Sequence, residues 1–169
     1  MLLVARRVGL ATSIRARAAS SSVLPAGAIE ALRGDIGVAR QKTLVVDEKR
    51  GTTFISEPSD VYATPMMIWD MEWHVRDLIL ERLPAEYDSV GVHVAFDHSA
   101  ATPIGSAVTV ETTFQQVHHK PKITLIEAET VIRDRVGELG RGVHRRAVVR
   151  KADVARRIAS RQASLQEVE

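Results

Sequence analysis

The sequence predicts an α+β domain in which one long helix lies against, and is wrapped by, an antiparallel sheet of five or six strands. Three observations predict it. A single strongly amphipathic segment, Thr64–Leu83, carries Ile68, Met71, Val75, Leu78 and Ile79 at steps of three and four, the period of a helix with one apolar face. Extended runs follow it one after another, separated by short turns, an order suited to antiparallel neighbours. Finally, one long helix against one curved sheet is the arrangement that buries both apolar faces.

Each element has its own warrant. Residues 23–40 give mixed signals and are expected to form a linker and loose lead-in. The domain itself is expected over 41–150. "KTLVVDE" (42–48) is strand-like, "KRGTTF" turns into a further extended piece, and "ISEPSD" is a loop holding Pro58. Thr64 is placed as the N-cap of the long helix, with Pro65 at its first position and Pro84 at its end. In "SVGVHVAFDH", Val90, Val92, Val94 and Phe96 alternate with Gly91, His93, Ala95 and Asp97, the period of a half-buried strand. Residues 106–117, 122–133 and 143–150 supply further strands, with "HHKP" and "DRVGELG" as turns. Residues 151–169 form a polar C-terminal helix or tail.

Composition narrows the function. The chain of 169 residues, 45% of them hydrophobic, suits one domain. It contains no cysteine, which excludes disulfides, thiolate metal sites and a thiol nucleophile. No apolar run reaches the roughly 20 residues of a membrane helix. Residues 1–22 hold Arg6, Arg7, Arg15 and Arg17, and the first acidic residue is Glu30, which is the composition of a transit peptide; import into the mitochondrial matrix is expected. Without those four arginines the net charge falls from +2 to −2, so a general affinity for nucleic acid loses its support. Residues 133–162 nevertheless carry ten Arg or Lys against three Asp or Glu, a place where a polyanionic ligand could dock.

Three polar residues interrupt the apolar pattern. Thr64 opens the helix, Glu72 lies eight positions on and His98 a further 26. Hydroxyl, carboxylate and imidazole are the parts of an activated nucleophile or water. Each also has a plainer explanation: Thr64 as a cap alone, Glu72 as the surface partner of Arg76 four residues on, and His98 as a hydrogen-bonded structural histidine. His98 shares the parity of Val90, Val92, Val94 and Phe96, which points it toward the helix. His118 and His119 are placed in a hairpin turn with no third ligand in view, so no metal site is expected.

From about Val61 to Val149 the chain resembles the fluoroacetyl-CoA thioesterase-like family of the hot-dog superfamily. The resemblance rests on "VYATPMMIWDMEW", "SVGVHVAFDHSAATPIGSAVTVETTF" and "GELGRGVHRRAVV". It rests too on the ungapped spacing of Thr64, Glu72, Gly91 and His98 and on the blocks His98–Gly105 and Gly140–Arg146. It implies a hot-dog fold and hydrolysis of a small or medium acyl-CoA thioester, with coenzyme A as part of the substrate and no other cofactor. Thr64 would stand at the reacting carbonyl, with His98 as its base and Glu72 as the carboxylate that positions or activates the attack. The Gly91 N–H would help hold the oxyanion, and His144 and Arg146 would support the site or the coenzyme A phosphates. The resemblance also implies a homodimer paired edge to edge. A non-catalytic acyl-CoA-binding module, or a subunit of a larger complex, is the alternative; a hydratase would need a G-D-x-N-P-x-H block, which is absent. Two residues depart from the family pattern. Pro58 replaces an aromatic lid residue, which argues against tight fluoroacetyl selectivity, and Pro65 replaces a glycine.

Overall fold

The computed structural model describes residues 24–52 and 61–166. The leader 1–22 and the loop with Pro58 lie outside these. The elements are α1 (Ala26–Gly34), β1 (Ala39–Val45), a one-turn 3-10 helix (Glu48–Arg50), α2 (Thr64–Leu80), β2 (Tyr87–His98), β3 (Ala107–Lys120), β4 (Ile123–Arg133), β5 (Glu138–Arg150) and α3 (Lys151–Gln166). Five strands form one antiparallel sheet in the order β1-β3-β4-β5-β2, and α2 packs against its middle and its β2 side.

The long helix buries Met71, Val75, Leu78 and Ile79 as its pattern predicts, with Met67 buried and Ile68 partly so. It ends at Leu80, three residues before the predicted Leu83. Two apolar clusters divide the core. Met71, Val75 and Ile79 meet Phe114 and Ile126 in one, and Met67 joins Tyr62, Val110 and Ile132 in the other. No helix among the described residues is long and apolar enough to cross a membrane.

Several expectations are corrected. The stretch 23–40 holds α1, whose Ala28, Ile29 and Leu32 are buried in the same cluster as Val75 and Ile79. Nine residues make a marginal helix in isolation; the packing of this apolar face stabilises it. β1 begins three residues earlier than its composition suggests, because pairing from Ala39 with Thr113 to Val45 with Ala107 sets its register. His118 and His119 belong to the end of β3 rather than to the turn.

The largest correction concerns β2. Gly91 pairs with Arg146 but His93 pairs with Arg145, so Val92 is an extra, bulged residue. A bulge reverses the inward and outward faces of everything beyond it. Val90 sits opposite Ala147 on the outer face, whereas Val94, Phe96 and His98 sit opposite His144, Gly142 and Gly140 on the face that α2 covers. His98 therefore faces the helix as expected, but it shares that face with Ser89 and Gly91, not with Val90. β2 is also an edge strand, and Val90, Val92 and Val94 are 39%, 52% and 44% exposed.

Candidate active site

Thr64 does not cap the helix. Ala63 occupies the N-cap position without a side-chain bond. The Thr64 hydroxyl instead lies 2.6 Å from His98 Nδ1. The other ring nitrogen, Nε2, is 2.9 Å from the Ala100 carbonyl. A carbonyl can only accept, so Nε2 carries the proton, and in the neutral ring Nδ1 presents its lone pair. Thr64 O–H is then the donor and His98 the acceptor, the geometry of a hydroxyl held by its base.

The backbone around the pair fixes this geometry. Tyr62 N–H donates to the Thr102 carbonyl at 2.9 Å, and Ala63 N–H donates to the Arg50 carbonyl at 2.8 Å. Ser99 and Ala100 N–H groups both donate to the Leu139 carbonyl, at 2.9 and 3.1 Å. The Thr102 hydroxyl donates to Asp134 at 2.8 Å, which ties the "HSAATPIG" segment to the β4–β5 turn. The residues before α2 and after β2 are thereby laid side by side.

Glu72 stands at the margin of the buried arc of α2, its side chain 42% exposed. The ordinary pair with Arg76 does not form, because Arg76 is held by Asp88 through bonds of 2.9 and 2.6 Å. Glu72 Oε1 accepts instead from Arg146 at 2.9 Å. Arg146 is 3% exposed, and its guanidinium also donates to the Ser89 hydroxyl at 2.8 Å, the Ser89 carbonyl at 2.7 Å and His144 Nε2 at 3.0 Å. Burial pushes the Arg146 guanidinium below its ordinary value and the Glu72 carboxylate acts against that, so the group stays charged. His144 must accept from an arginine, which leaves its Nε2 unprotonated; burial, then the neighbouring Arg146 charge, lower its pKa. Its Nδ1 is buried beside the His93 backbone without an aligned hydrogen bond.

His144 and Arg146 are thus buried supports of Glu72. Their burial removes them as surface ligands for coenzyme A phosphates, the other role expected of them. Gly91 belongs to the same group. A Cβ there would lie 2.9 Å from Glu72 Oε1 and 3.2 Å from His144 Cε1, so the missing side chain is the space these two occupy. The two groups, Thr64–His98 and Glu72–Arg146–His144–Gly91, lie on the same face of the sheet. Eight helical residues separate Thr64 from Glu72, about 12 Å along the axis. Among the described residues no hydrogen bond joins the two groups.

One supporting cluster was not apparent in the sequence. Asp70 is buried on α2 and takes Arg50 in a two-bond fork at 2.8 and 2.9 Å, with the Tyr62 hydroxyl at 2.5 Å. The hydrogen bond to Asp70 raises the Arg50 pKa further, and burial followed by the Asp70 bond raises that of Tyr62. This locks the segment that delivers Thr64. The only signal in the sequence was an acidic residue two positions before Glu72, on a helix side turned away from Arg76.

The sequence matches the model of the fluoroacetyl-CoA-specific thioesterase family over residues 45–152, and the chain belongs to that family. A curated relative, the fluoroacetyl-CoA thioesterase of Streptantibioticus cattleyicolor, is 33% identical over 94 residues, 56% of this chain and 65% of the relative. The match thus spans just under two thirds of that relative's length. The solved structure of the fluoroacetyl-CoA thioesterase FlK superposes with a TM-score of 0.66 at 25% identity, covering 74% of this chain and 95% of that one. A hot-dog-like protein from Thermanaerovibrio acidaminovorans superposes with a TM-score of 0.66 at 23% identity, over 75% of this chain and 91% of that one, which shows the fold. The α+β architecture read from the sequence is therefore a hot-dog fold.

Proposed function

We propose that this member of the fluoroacetyl-CoA-specific thioesterase family hydrolyses small or medium acyl-CoA thioesters to the free acid and coenzyme A. The observation that carries the reading is the 2.6 Å bond from Thr64 to a ring nitrogen of His98 whose partner nitrogen is committed to the Ala100 carbonyl. In this reading Thr64 meets the thioester carbonyl and His98 Nδ1 takes the proton released on attack. The tetrahedral oxyanion collapses, the C–S bond breaks, the proton passes to the departing thiolate and the acyl group is left as an ester on Thr64. Water then gives its proton to His98 and attacks that ester, and collapse releases the free acid and returns the proton to the Thr64 oxygen. Thr64 begins α2, whose N-terminal partial positive charge favours the oxyanion. The Gly91 N–H lies with the Glu72 group, seven positions along β2 from His98, and so serves substrate held beside Glu72 rather than an oxyanion at Thr64. Glu72 lies two helical turns away, so it acts on substrate or water held between the groups rather than on Thr64 itself.

The same reading includes a homodimer formed along β2 and import into the mitochondrial matrix. The open β2 edge with its exposed valines supports the dimer, since a long apolar edge invites strand pairing. Trp69 and Trp73, 52% and 40% exposed on the outer side of α2, add apolar surface. The Arg-rich, acid-free first 22 residues support import.

The deciding experiment measures thiol release across acyl-CoA chain lengths with protein lacking residues 1–22. Turnover greatest on short or medium acyl groups is expected. Tight binding of acyl-CoA with no release at any length overturns hydrolysis in favour of a binding module. Sedimentation at micromolar concentration should give the dimer mass. Mass spectrometry of organelle-purified protein should find a new N-terminus near Arg17–Ser22.

A further inference from the structure

The first residues of β2, the last of β5, the β3–β4 turn and α3 enclose a cavity of about 500 Å³, the size of a small-molecule site. Lys120 at the end of β3, Lys122 on the turn, Arg150 at the end of β5 and Arg157 on α3 line it. The one carboxylate among the lining residues, Asp153, already pairs with Arg156 at 2.7 Å. The side chains of Lys120, Lys122 and Arg157 have no ion-pair or hydrogen-bond partner among the described residues. Cations converging on one concavity focus a positive potential there. Val90, Val92, Ile123 and Val148 supply an apolar wall to the same space. A fitting ligand joins several negative charges to an apolar, flat body.

We propose that this cavity seats the phosphorylated nucleotide end of coenzyme A, with its 3′-phosphate and pyrophosphate against the cations and its adenine against the valines. The assignment rests on the acyl-CoA reading above and gives the substrate a direction. Val90 and Val92, which line the cavity, flank Gly91, against which Glu72 and His144 are packed. The cavity and the Glu72 group thus lie on the two faces of one stretch of the β2 edge, round which the rest of the substrate would pass. Arg157 stands on α3 beyond residue 152, where the family match ends, so this wall lies outside the matched region. A second copy paired along β2 would close the valine side and leave the cationic side open.

Calorimetry on the full chain tests this with three probes: coenzyme A, adenosine 3′,5′-bisphosphate and pantetheine. Lys122→Ala and Arg157→Ala should each weaken coenzyme A about 10-fold, and both with Lys120→Ala about 1,000-fold, from the loss of charge-assisted contacts. Adenosine 3′,5′-bisphosphate should compete with coenzyme A, and pantetheine binding should be unchanged in every variant. In turnover, KM for acyl-CoA should rise by the same factors at constant kcat, with acyl-pantetheine hydrolysis unaffected. A triple variant that binds coenzyme A as the unaltered chain does overturns the proposal, as does equal weakening of pantetheine. If no thioester is hydrolysed the thioesterase reading fails, and the calorimetry still decides the cavity: lost coenzyme A affinity supports it and retained affinity refutes it.

Discussion

Replacing Glu72 by glutamine separates a working carboxylate from a counter-ion. The Glu72 carboxylate is the one within ion-pairing distance of the Arg146 guanidinium among the described residues, at 2.9 Å. The amide introduced by Glu72→Gln keeps a carbonyl acceptor for that bond and deletes only the charge. A hydrogen bond to a charged acceptor contributes about 1.5–3 kcal/mol and a neutral one about 0.5–1.5. Because the Glu72 side chain is 42% exposed, solvent screening puts the difference at the low end, about 1 kcal/mol. For a domain of this size that lowers Tm by about 3 °C. Catalytic use of the carboxylate predicts a much larger change, a loss of about 10²–10⁴-fold in kcat, or about 3–5 kcal/mol in activation free energy. A fall of about 1 kcal/mol in stability leaves an ordinary domain folded at 25 °C, so it cannot mimic that loss. Thiol-release kinetics and a melting curve on one preparation read both quantities. Normal turnover with the small Tm loss would reduce Glu72 to the partner of Arg146 and refute the catalytic reading. Arg76→Gln is the control, since Arg76 is engaged by Asp88 and its loss should leave kcat unchanged.

His98→Ala should lower kcat about 10²–10⁴-fold, and because the side chain is exposed the melting temperature should hold; near-normal hydrolysis would remove His98 as the base. Gly91→Ala forces Glu72 Oε1 from a position 2.9 Å from the new Cβ, so kcat should fall while the fold survives through movement of the flexible carboxylate; a crystal structure showing Glu72 still on Arg146 with full activity would contradict this. His74 and His144 are both held neutral below their ordinary value of 6.5, chiefly by burial. The unfolded chain then binds more protons than the folded one below about pH 6.5, so stability is full above that pH and lost as pH falls through the window beneath it. Melting temperatures should drop from about pH 7 to about pH 5, and His74→Gln, outside the Glu72 group, should flatten part of the drop; an unchanged slope would assign it to other groups.

What the sequence disclosed and what it concealed divide along the range of the interactions involved. The helix face of Met71, Val75 and Ile79 was legible because amphipathic periodicity is a local property. α1 was not, because nine residues have little helical signal and gain their order from distant partners such as Phe114. The β2 bulge is written in the pairing with β5, so alternation along β2 alone assigned Val90 to the wrong face. At the site, the residue types and their spacing were legible and their partners were not. Thr64 read as a cap and proved to bond a histidine 34 residues away, while Glu72 read as the neighbour of Arg76 and proved to bond an arginine 74 residues away.

The block Gly140-x-Gly142-x-His144-x-Arg146 shows how one strand face builds both packing and chemistry. These four positions alternate along β5, so all face α2. Cβ atoms at Gly140 and Gly142 would lie 2.6 and 2.7 Å from the Phe96 ring, which occupies the room those glycines leave. Phe96 packs with both apolar clusters, and its strand continues to His98. The two polar members of the block lie further along the same face; Arg146 is buried there and presents its charge to Glu72. A buried guanidinium left unpaired is strongly destabilising, by about 3–5 kcal/mol. The fold therefore requires a hydrogen-bond acceptor at the edge of α2, which glutamine would still supply, and the pairing that relieves Arg146 also fixes Glu72 in one orientation beside Gly91. Stability and the proposed chemistry draw on a single contact, which is why Glu72→Gln must be judged by the ratio of its two effects rather than by either alone.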